Sequence, residues 1–179
     1  MSVSSTCITH IGTYDASTRD IPALAFVEKY SDKIDSLEIS GPFHDWYAPS
    51  CTFFNTNGTV YHGGDEIWTW MKSLFGPFSV VCHNVKVIRL VEAIPTESDP
   101  EKAAYWAIIE TETSFSMKDQ LLAGDPIIVP RLLMFLIGKS EVDGQGTDGL
   151  QILEAKVWWD TEVLGRELTT RKGKSSQEH

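Results

Sequence analysis

The chain has 179 residues, of which 42% are hydrophobic, and its 15 basic and 25 acidic side chains give a net charge of −10. This length and hydrophobic fraction predict one folded domain with a substantial core and exclude a globally disordered chain. The acidic surplus argues against nucleic acid and against an anionic membrane surface as partners, because both carry negative charge.

The start of the chain lacks a basic segment followed by an apolar one, and no apolar run reaches the length of a membrane span. Both observations favour a cytoplasmic protein. The three cysteines, Cys7, Cys51 and Cys82, have no CxxC spacing and predict free, buried thiols. No hydrolase, nucleotide-binding or metal-binding motif occurs, so we expect neither a cofactor nor a metal.

Residues 1–19 are rich in Ser and Thr and predict an extended N-terminal arm, followed by a single domain at 20–168. Asp20 and Pro22 predict the start of a first helix, since Asp is a good cap and Pro suits the first turn. Apolar residues then recur at helical spacing. The stretch "SGPFHDWYA" has the same features, with Ser40 as the cap, and predicts a second helix.

The stretch "CTFFNTNGTVYH" predicts a β-hairpin. Its turn is assigned to Asn57-Gly58, a pair that favours the positive φ angles of a two-residue turn. After Gly63-Gly64, apolar residues at i, i+3, i+4 and i+7 predict an amphipathic helix. Asp65 and Glu66 lie in its first turn, where the helix dipole favours negative charge.

Four β-rich segments follow, "SVVCHNVKVIRLVEA", "AAYWAIIETETSFSM", "PRLLMFLIGKSEV" and "LQILEAKVWWDTEVL". A charged loop at 94–102 separates the first two, and 117–130 predicts a short helix or a lid. The end of the chain, 169–179, predicts a disordered tail. Helices first and strands later indicate an α+β fold with a mainly antiparallel sheet.

Alternation along the second of these strands predicts which side chains face inward. The more apolar set consists of Tyr105, Ala107, Ile109, Thr111, Thr113 and Phe115. Glu110 and Glu112 then face outward and are poor candidates for catalysis. The adjacent Trp158 and Trp159 are predicted to lie on opposite faces, one in the core and one at an interface.

Five segments in this order resemble the nuclear transport factor 2-like superfamily, in its SnoaL-like and scytalone dehydratase-like branches: "FVEKYSDKIDSLE", "WYAPSCTFFN", "HGGDEIWTWMKSLF", "VVCHNVKVIRL" and "EAKVWWDTEVL". The resemblance implies a cone-shaped, curved, mainly antiparallel sheet wrapped around N-terminal helices, with a deep apolar pocket inside. It also implies a homodimer through the outer face of the sheet.

The resemblance further implies catalytic roles for His83 and Asp35. The dehydratases carry a cavity-facing His on the strand that matches His83, and an Asp that orients catalytic groups on the helix that matches Asp35. The alternatives are a structural His and an exposed carboxylate at a helix end. Two features depart from the dehydratases: Ile34 stands where they have Tyr, and their second His is absent.

Asn55 stands where ketosteroid isomerase carries the Asp that removes a proton. An amide does not titrate, but it can donate a hydrogen bond to a developing oxyanion. The alternative is an Asn that bonds to its own turn. The other candidates for substrate binding are Tyr30, Tyr47, Tyr61, Tyr105, Thr113, Phe115 and Met134. Of these, Tyr30 and Tyr47 lie on apolar helix faces, which favour a place in the core over the cavity.

The sequence therefore leaves two main functions open. The first is a cofactor-free isomerase, cyclase or dehydratase that acts by acid–base catalysis on a hydrophobic polyketide or terpenoid. The second is a non-catalytic module of the same fold that binds a hydrophobic small molecule or mediates dimerisation. A transport adaptor, like the founding member of the superfamily, has no supporting motif.

Overall fold

The computed structural model describes residues 7–93, 104–119 and 124–175, with side chains up to Arg171. The predicted loop at 94–102 and residues 120–123 of the predicted lid lie outside this range. No helix in the described part is long and apolar enough to cross a membrane.

Seven strands form one sheet in the order β1-β4-β5-β6-β7-β2-β3. All neighbouring strands are antiparallel except β2 and β7, which are parallel. The strands are β1 Cys7–Ile11, β2 Tyr47–Phe54, β3 Val60–His62, β4 Phe78–Glu92, β5 Ala104–Met117, β6 Ile127–Lys139 and β7 Leu150–Trp159. The helices are α1 Ala16–Arg19, α2 Pro22–Asp35, α3 Gly64–Phe75 and α4 Thr161–Ser175. The predicted α+β fold with a curved, mainly antiparallel sheet is confirmed.

The core lies between the inner face of the sheet and helices α2 and α3. Burial along β5 alternates as predicted, with Ala107, Ile109, Thr111, Thr113 and Phe115 buried. Glu110 and Glu112 lie on the outer face, where they pair with Arg89 and Lys86. The inner face is therefore the one that can form a ligand site.

The N-terminal arm is the first difference from the sequence prediction, because residues 7–19 are part of the fold. Strand β1 adds to the sheet by pairing with β4. Asp15 caps α1 by accepting hydrogen bonds from the backbone N–H groups of Ser17 and Thr18 at 2.8 and 3.1 Å. Asp20 ends α1 rather than capping α2, whose start depends on the proline at its first position.

The predicted helix at "SGPFHDWYA" is reduced to one 3-10 turn, Phe43–Asp45. The chain then enters β2, since Ile152 of β7 donates its N–H to the carbonyl of Trp46 at 2.8 Å. Pairing between β2 and β7 thus overrides the local helical pattern.

The β2–β3 hairpin turns one residue earlier than predicted. The carbonyl of Asn55 accepts the N–H of Gly58 at 3.0 Å, so Thr56 and Asn57 are the central residues. Gly58 has a φ of 83°, whereas Asn57 is not among the residues with positive φ. This is a three-residue connection in which only the Gly adopts the left-handed conformation.

The C-terminal segment also differs from prediction, because α4 extends to Ser175 through much of the predicted tail. Asp160 caps this helix by accepting the N–H of Glu162 at 2.9 Å. Apolar side chains on one face then pack against the core: Val163, Leu164 and Leu168. The prediction of buried thiols holds for Cys51 alone, since Cys7 and Cys82 are exposed.

Candidate functional site

Asp35 and His83 form a buried pair between the end of α2 and the middle of β4. One carboxylate oxygen of Asp35 accepts the backbone N–H of His83 at 2.9 Å, and the other lies 2.5 Å from the imidazole Nδ1. The side chain of His83 is 7% exposed and that of Asp35 is 26% exposed. His83 shares the inner face with Val81 and Val85, which are both buried.

The hydrogen bonds of the pair determine the tautomer of His83. An ionised carboxylate only accepts hydrogen bonds, so Nδ1 carries the proton and Nε2 keeps its lone pair. Burial lowers the pKa of His83, the hydrogen bond with Asp35 raises it, and the charge of Arg131 lowers it, with a net lowering from the ordinary value. The imidazole is therefore neutral near pH 7 and can act as a base through Nε2.

Arg131 on β6 is a further candidate residue, which the sequence analysis did not include. Its Nη1 lies 3.4 Å from Nε2 of His83, and its guanidinium carbon lies 5.7 Å from the ring centre of Trp159. Burial lowers the pKa of Arg131 to about 10, so the group stays charged at neutral pH. Alternation with the buried Val129, Leu133 and Phe135 would have placed it on the inner face.

The same alternation corrects the prediction for Met134. This residue pairs with Ile108 of β5, one position out of step with the buried residues of both strands. Its side chain therefore lies on the outer face of the sheet, away from Asp35 and His83.

Trp159 connects Arg131 to Asn55. Arg131 on β6 lies opposite Trp159 on β7. The indole N–H of Trp159 donates to Oδ1 of Asn55 at 3.3 Å. The same oxygen of Asn55 accepts the backbone N–H of Thr56 at 2.8 Å, as the alternative interpretation predicted. A line of contacts thus runs from Asp35 through His83, Arg131 and Trp159 to Asn55.

Tyr30 and Tyr47 place their hydroxyl oxygens 2.5 Å apart in the core. Burial raises the pKa of both phenols above the ordinary value, so both are protonated at neutral pH. The positive charge of Arg131 acts in the opposite direction on each pKa. Because one shared hydrogen joins the two oxygens, one O–H donor remains available.

Thr113 lies directly across from His83 in the β4–β5 ladder and is fully buried. Its hydroxyl has no hydrogen-bond partner within the described residues. Phe115, two residues further along β5, packs against Phe78 with ring centres 4.8 Å apart and belongs to the core.

Of two further predicted substrate-binding tyrosines, Tyr105 lies apart from this cluster, whereas Tyr61 forms a side-chain hydrogen bond with Asn55 at its end. Tyr105 is eight residues from Thr113 along β5, roughly 26 Å away at about 3.3 Å per residue. It lines a separate apolar depression of about 390 Å³ together with Ile8, Leu90 and Ile137. Tyr61 lies on the edge strand β3 and stacks on Trp70 with ring centres 4.7 Å apart.

The described side chains contain no group of three or more His, Cys, Asp or Glu residues that could hold a metal ion. The cluster instead offers a base in His83, a carboxylate that fixes its tautomer, and a cation beside the base. Such a set can transfer a proton and stabilise a developing negative charge.

Comparison of the sequence with protein-family models and with curated proteins gives no match. Solved structures are similar at the level of the fold. Aln2 from a Streptomyces species superposes with a TM-score of 0.60 at 13% identity, covering 86% of this chain and 99% of that one.

Two further structures carry names of enzyme families. A protein from Shewanella putrefaciens named as a SnoaL-like polyketide cyclase has a TM-score of 0.55 at 12% identity, covering 88% of this chain and 99% of its own. A protein from Novosphingobium aromaticivorans named as a scytalone dehydratase has a TM-score of 0.55 at 12% identity, with coverages of 82% and 89%. The chain therefore has the fold of the nuclear transport factor 2-like superfamily, as the sequence resemblance predicted.

Proposed function

We propose that the protein is a cofactor-free enzyme that removes a proton next to a carbonyl group in a hydrophobic small molecule. The substrate is of polyketide or terpenoid type, and the enzyme acts as an isomerase, cyclase or dehydratase in cytoplasmic secondary metabolism. The observation that carries the proposal is the buried pair of Asp35 and His83, with the guanidinium of Arg131 3.4 Å from Nε2. The cyclase and dehydratase names among proteins of this fold are consistent with it.

The mechanism uses three side chains. Nε2 of His83 takes the proton from the carbon, and the electrons of that C–H bond move toward the carbonyl to form an enolate. Asp35 stabilises the imidazolium, and Arg131 stabilises the enolate oxygen. The imidazolium of His83 then returns its proton to another carbon of the enolate, to the alkoxide formed when the enolate attacks a second carbonyl, or to a β-hydroxyl group that leaves as water when its C–O bond breaks. Burial excludes solvent from these steps.

Hydrogen–deuterium exchange tests this chemistry before the substrate is known. We would incubate the protein with 1-tetralone, a bicyclic ketone, in D₂O and measure deuterium at the α-carbon by mass spectrometry. Exchange should exceed the buffer rate, and His83→Gln should reduce it to the buffer rate. His62→Gln, a change at an exposed His on β3, should leave it unaltered. Exchange no faster than in buffer, or equal exchange by His83→Gln, would contradict the mechanism.

A non-catalytic binding module is the second candidate, and one observation favours it. Nε2 of His83 already faces the Nη1 donor of Arg131. The base is free only when Arg131 shifts toward a ligand. Saturable quenching of tryptophan fluorescence by 1-tetralone without any deuterium exchange would support this alternative over the enzyme.

We also propose that a second copy of the chain binds the outer face of the sheet. Trp158 is 44% exposed there and Ile128 is 57% exposed, beside the half-buried Leu132 and Met134. Exposed apolar side chains in one patch are typical of an interface. Sedimentation should show a dimer that Trp158→Lys dissociates, whereas Val142→Lys, in a loop, should not. A monomeric parent protein, or a dimer unaffected by Trp158→Lys, would contradict this interface.

A further inference from the structure

Arg131 is a largely buried cation that has no carboxylate partner among the described residues. None of the ion pairs among the described residues includes its guanidinium, and its partners are the imidazole of His83 and the ring of Trp159. Asp35, the carboxylate that acts on its charge, lies on the far side of that imidazole. A buried charge is normally paired with an opposite one, because removing it from water is costly.

Two adjacent hydrogen-bonding groups at this site are also unused. Within the described residues, three buried side-chain N or O atoms lack a partner, and two of them are Nε of Arg131 and Oγ1 of Thr113. Thr111, two residues before Thr113, lies opposite Arg131 in the β5–β6 ladder. The guanidinium and the hydroxyl are therefore neighbours on the inner face. Buried polar groups without protein partners are rare, so two together point to a place where a polar ligand can bind.

We infer that this site takes a ligand that carries a carboxylate, held by the Nε–Nη2 edge of Arg131 and by the hydroxyl of Thr113. Parallel N–H groups along one edge of a guanidinium match the two oxygens of a carboxylate.

A carboxylate fits better than a phosphate. Among the described residues the site has a single cation, and Asp35 adds a negative charge on the other side of His83. A dianionic phosphate would bring two further negative charges to these groups, whereas a carboxylate brings only one.

This inference rests on the proposed function, because it names the substrate class of the same site. The guanidinium has two usable sides: Nη1 faces His83 and the reacting carbon, and the Nε–Nη2 edge holds the carboxylate. The substrate is then a hydrophobic keto acid whose carboxylate lies close to the carbon that loses a proton.

The test is ligand binding followed through the Nε–H resonance of Arg131, assigned by its loss in Arg131→Lys. Formate is the smallest carboxylate probe, and formamide is its neutral counterpart. Formate and benzoate should each shift the resonance saturably, whereas formamide and benzamide should not. Benzoate should bind at least about tenfold more tightly than benzamide, as expected for a charge-assisted pair.

Variants assign the preference to Arg131. Arg131→Gln should lower benzoate affinity about tenfold or more, to the level of benzamide, and Arg131→Lys should retain part of the preference because it keeps the charge. Arg89→Gln, on the outer face beside Glu110, is the matched control and should change neither affinity. Equal binding of acid and amide by the parent protein, or no saturable shift with either carboxylate, would overturn the inference.

The outcome is independent of turnover. His83→Gln should abolish deuterium exchange while the preference for benzoate persists. A protein that prefers benzoate but exchanges no deuterium would refute the proposed enzyme and retain the carboxylate site. A protein that exchanges deuterium but does not prefer benzoate would retain the proposed enzyme and refute the carboxylate site.

Discussion

Asp35 joins the end of α2 to the middle of β4 through both of its carboxylate oxygens, and Asp35→Asn tests what this connection does. The amide keeps one acceptor and presents an NH₂ group in place of the other. If its oxygen accepts the backbone N–H of His83, its NH₂ faces Nδ1 of the imidazole. The proton of His83 must then move to Nε2, where it faces the Nη1 donor of Arg131.

The expected loss of stability follows from these contacts. A hydrogen bond to a charged group contributes about 1.5–3 kcal/mol, and the substitution weakens two such bonds without removing the whole contact. Since the side chain of Asp35 is 26% exposed, solvent screens part of its charge. We therefore expect the free energy of unfolding to fall by about 2 kcal/mol.

The wrong tautomer should cost activity more than stability. The corresponding change in a serine protease triad lowers kcat about 10⁴-fold. We expect the rate of α-proton exchange to fall at least about a hundredfold by the same cause. Urea unfolding measures the stability, and the ¹⁵N shifts of the His83 ring report the tautomer.

Asp32→Asn is the matched control, three residues earlier on α2. Burial raises the pKa of Asp32, and no hydrogen bond of its side chain occurs within the described residues. Its free energy of unfolding should change by no more than about 0.5 kcal/mol. An unchanged tautomer in Asp35→Asn, together with a stability equal to that of Asp32→Asn, would refute the reasoning.

Three further predictions address the base, the core and the packing of α3. The pKa of His83 is lowered in the folded protein, so the neutral imidazole contributes to stability above the unfolded pKa of about 6.5. This contribution decreases as the pH falls toward the lowered value. The free energy of unfolding of His83→Gln should therefore depend less on pH over this range. Tyr47→Phe leaves the hydroxyl of Tyr30 unpaired in the core and should lower the free energy of unfolding by about 1–3 kcal/mol. Urea unfolding of the double mutant, with Phe at both positions, should show part of this loss restored. Gly64→Ala would force a Cβ into the ring of Phe43 and should lower Tm, whereas Gly165→Ala in α4 meets no neighbouring atom and should raise it slightly.

The sequence predicts the sheet well because its long strands carry clear alternation and β-branched residues. Strands β4 to β7 and the inward set of β5 agree with the structure. The failures occur where non-local pairing decides the outcome. Residues 7–11 form a strand because the edge of β4 is open to them, and the helix expected at Ser40 gives way to pairing with β7.

The candidate site was predictable only in part. Resemblance to a family pointed to Asp35 and His83, and the structure brings these residues together. Alternation along β6 distinguishes the inward Arg131 from the outward Met134, but the sequence prediction named Met134 and did not apply this alternation. The role of Trp159 between Arg131 and Asn55 depends on packing across three strands, which no local pattern reveals.

The line of contacts from Asp35 to Asn55 also has a consequence for how the protein folds. Trp159 and Asn55 are 104 positions apart in the chain, and Arg131 and His83 are 48 apart. Contacts between such distant segments form late, since the loops that they close must be ordered first. Until the last strand docks, Arg131 lacks the aromatic ring against which it rests, so an incomplete fold would contain a base but not the arrangement that controls it. The slowest step of folding and the appearance of a competent site should therefore coincide in time.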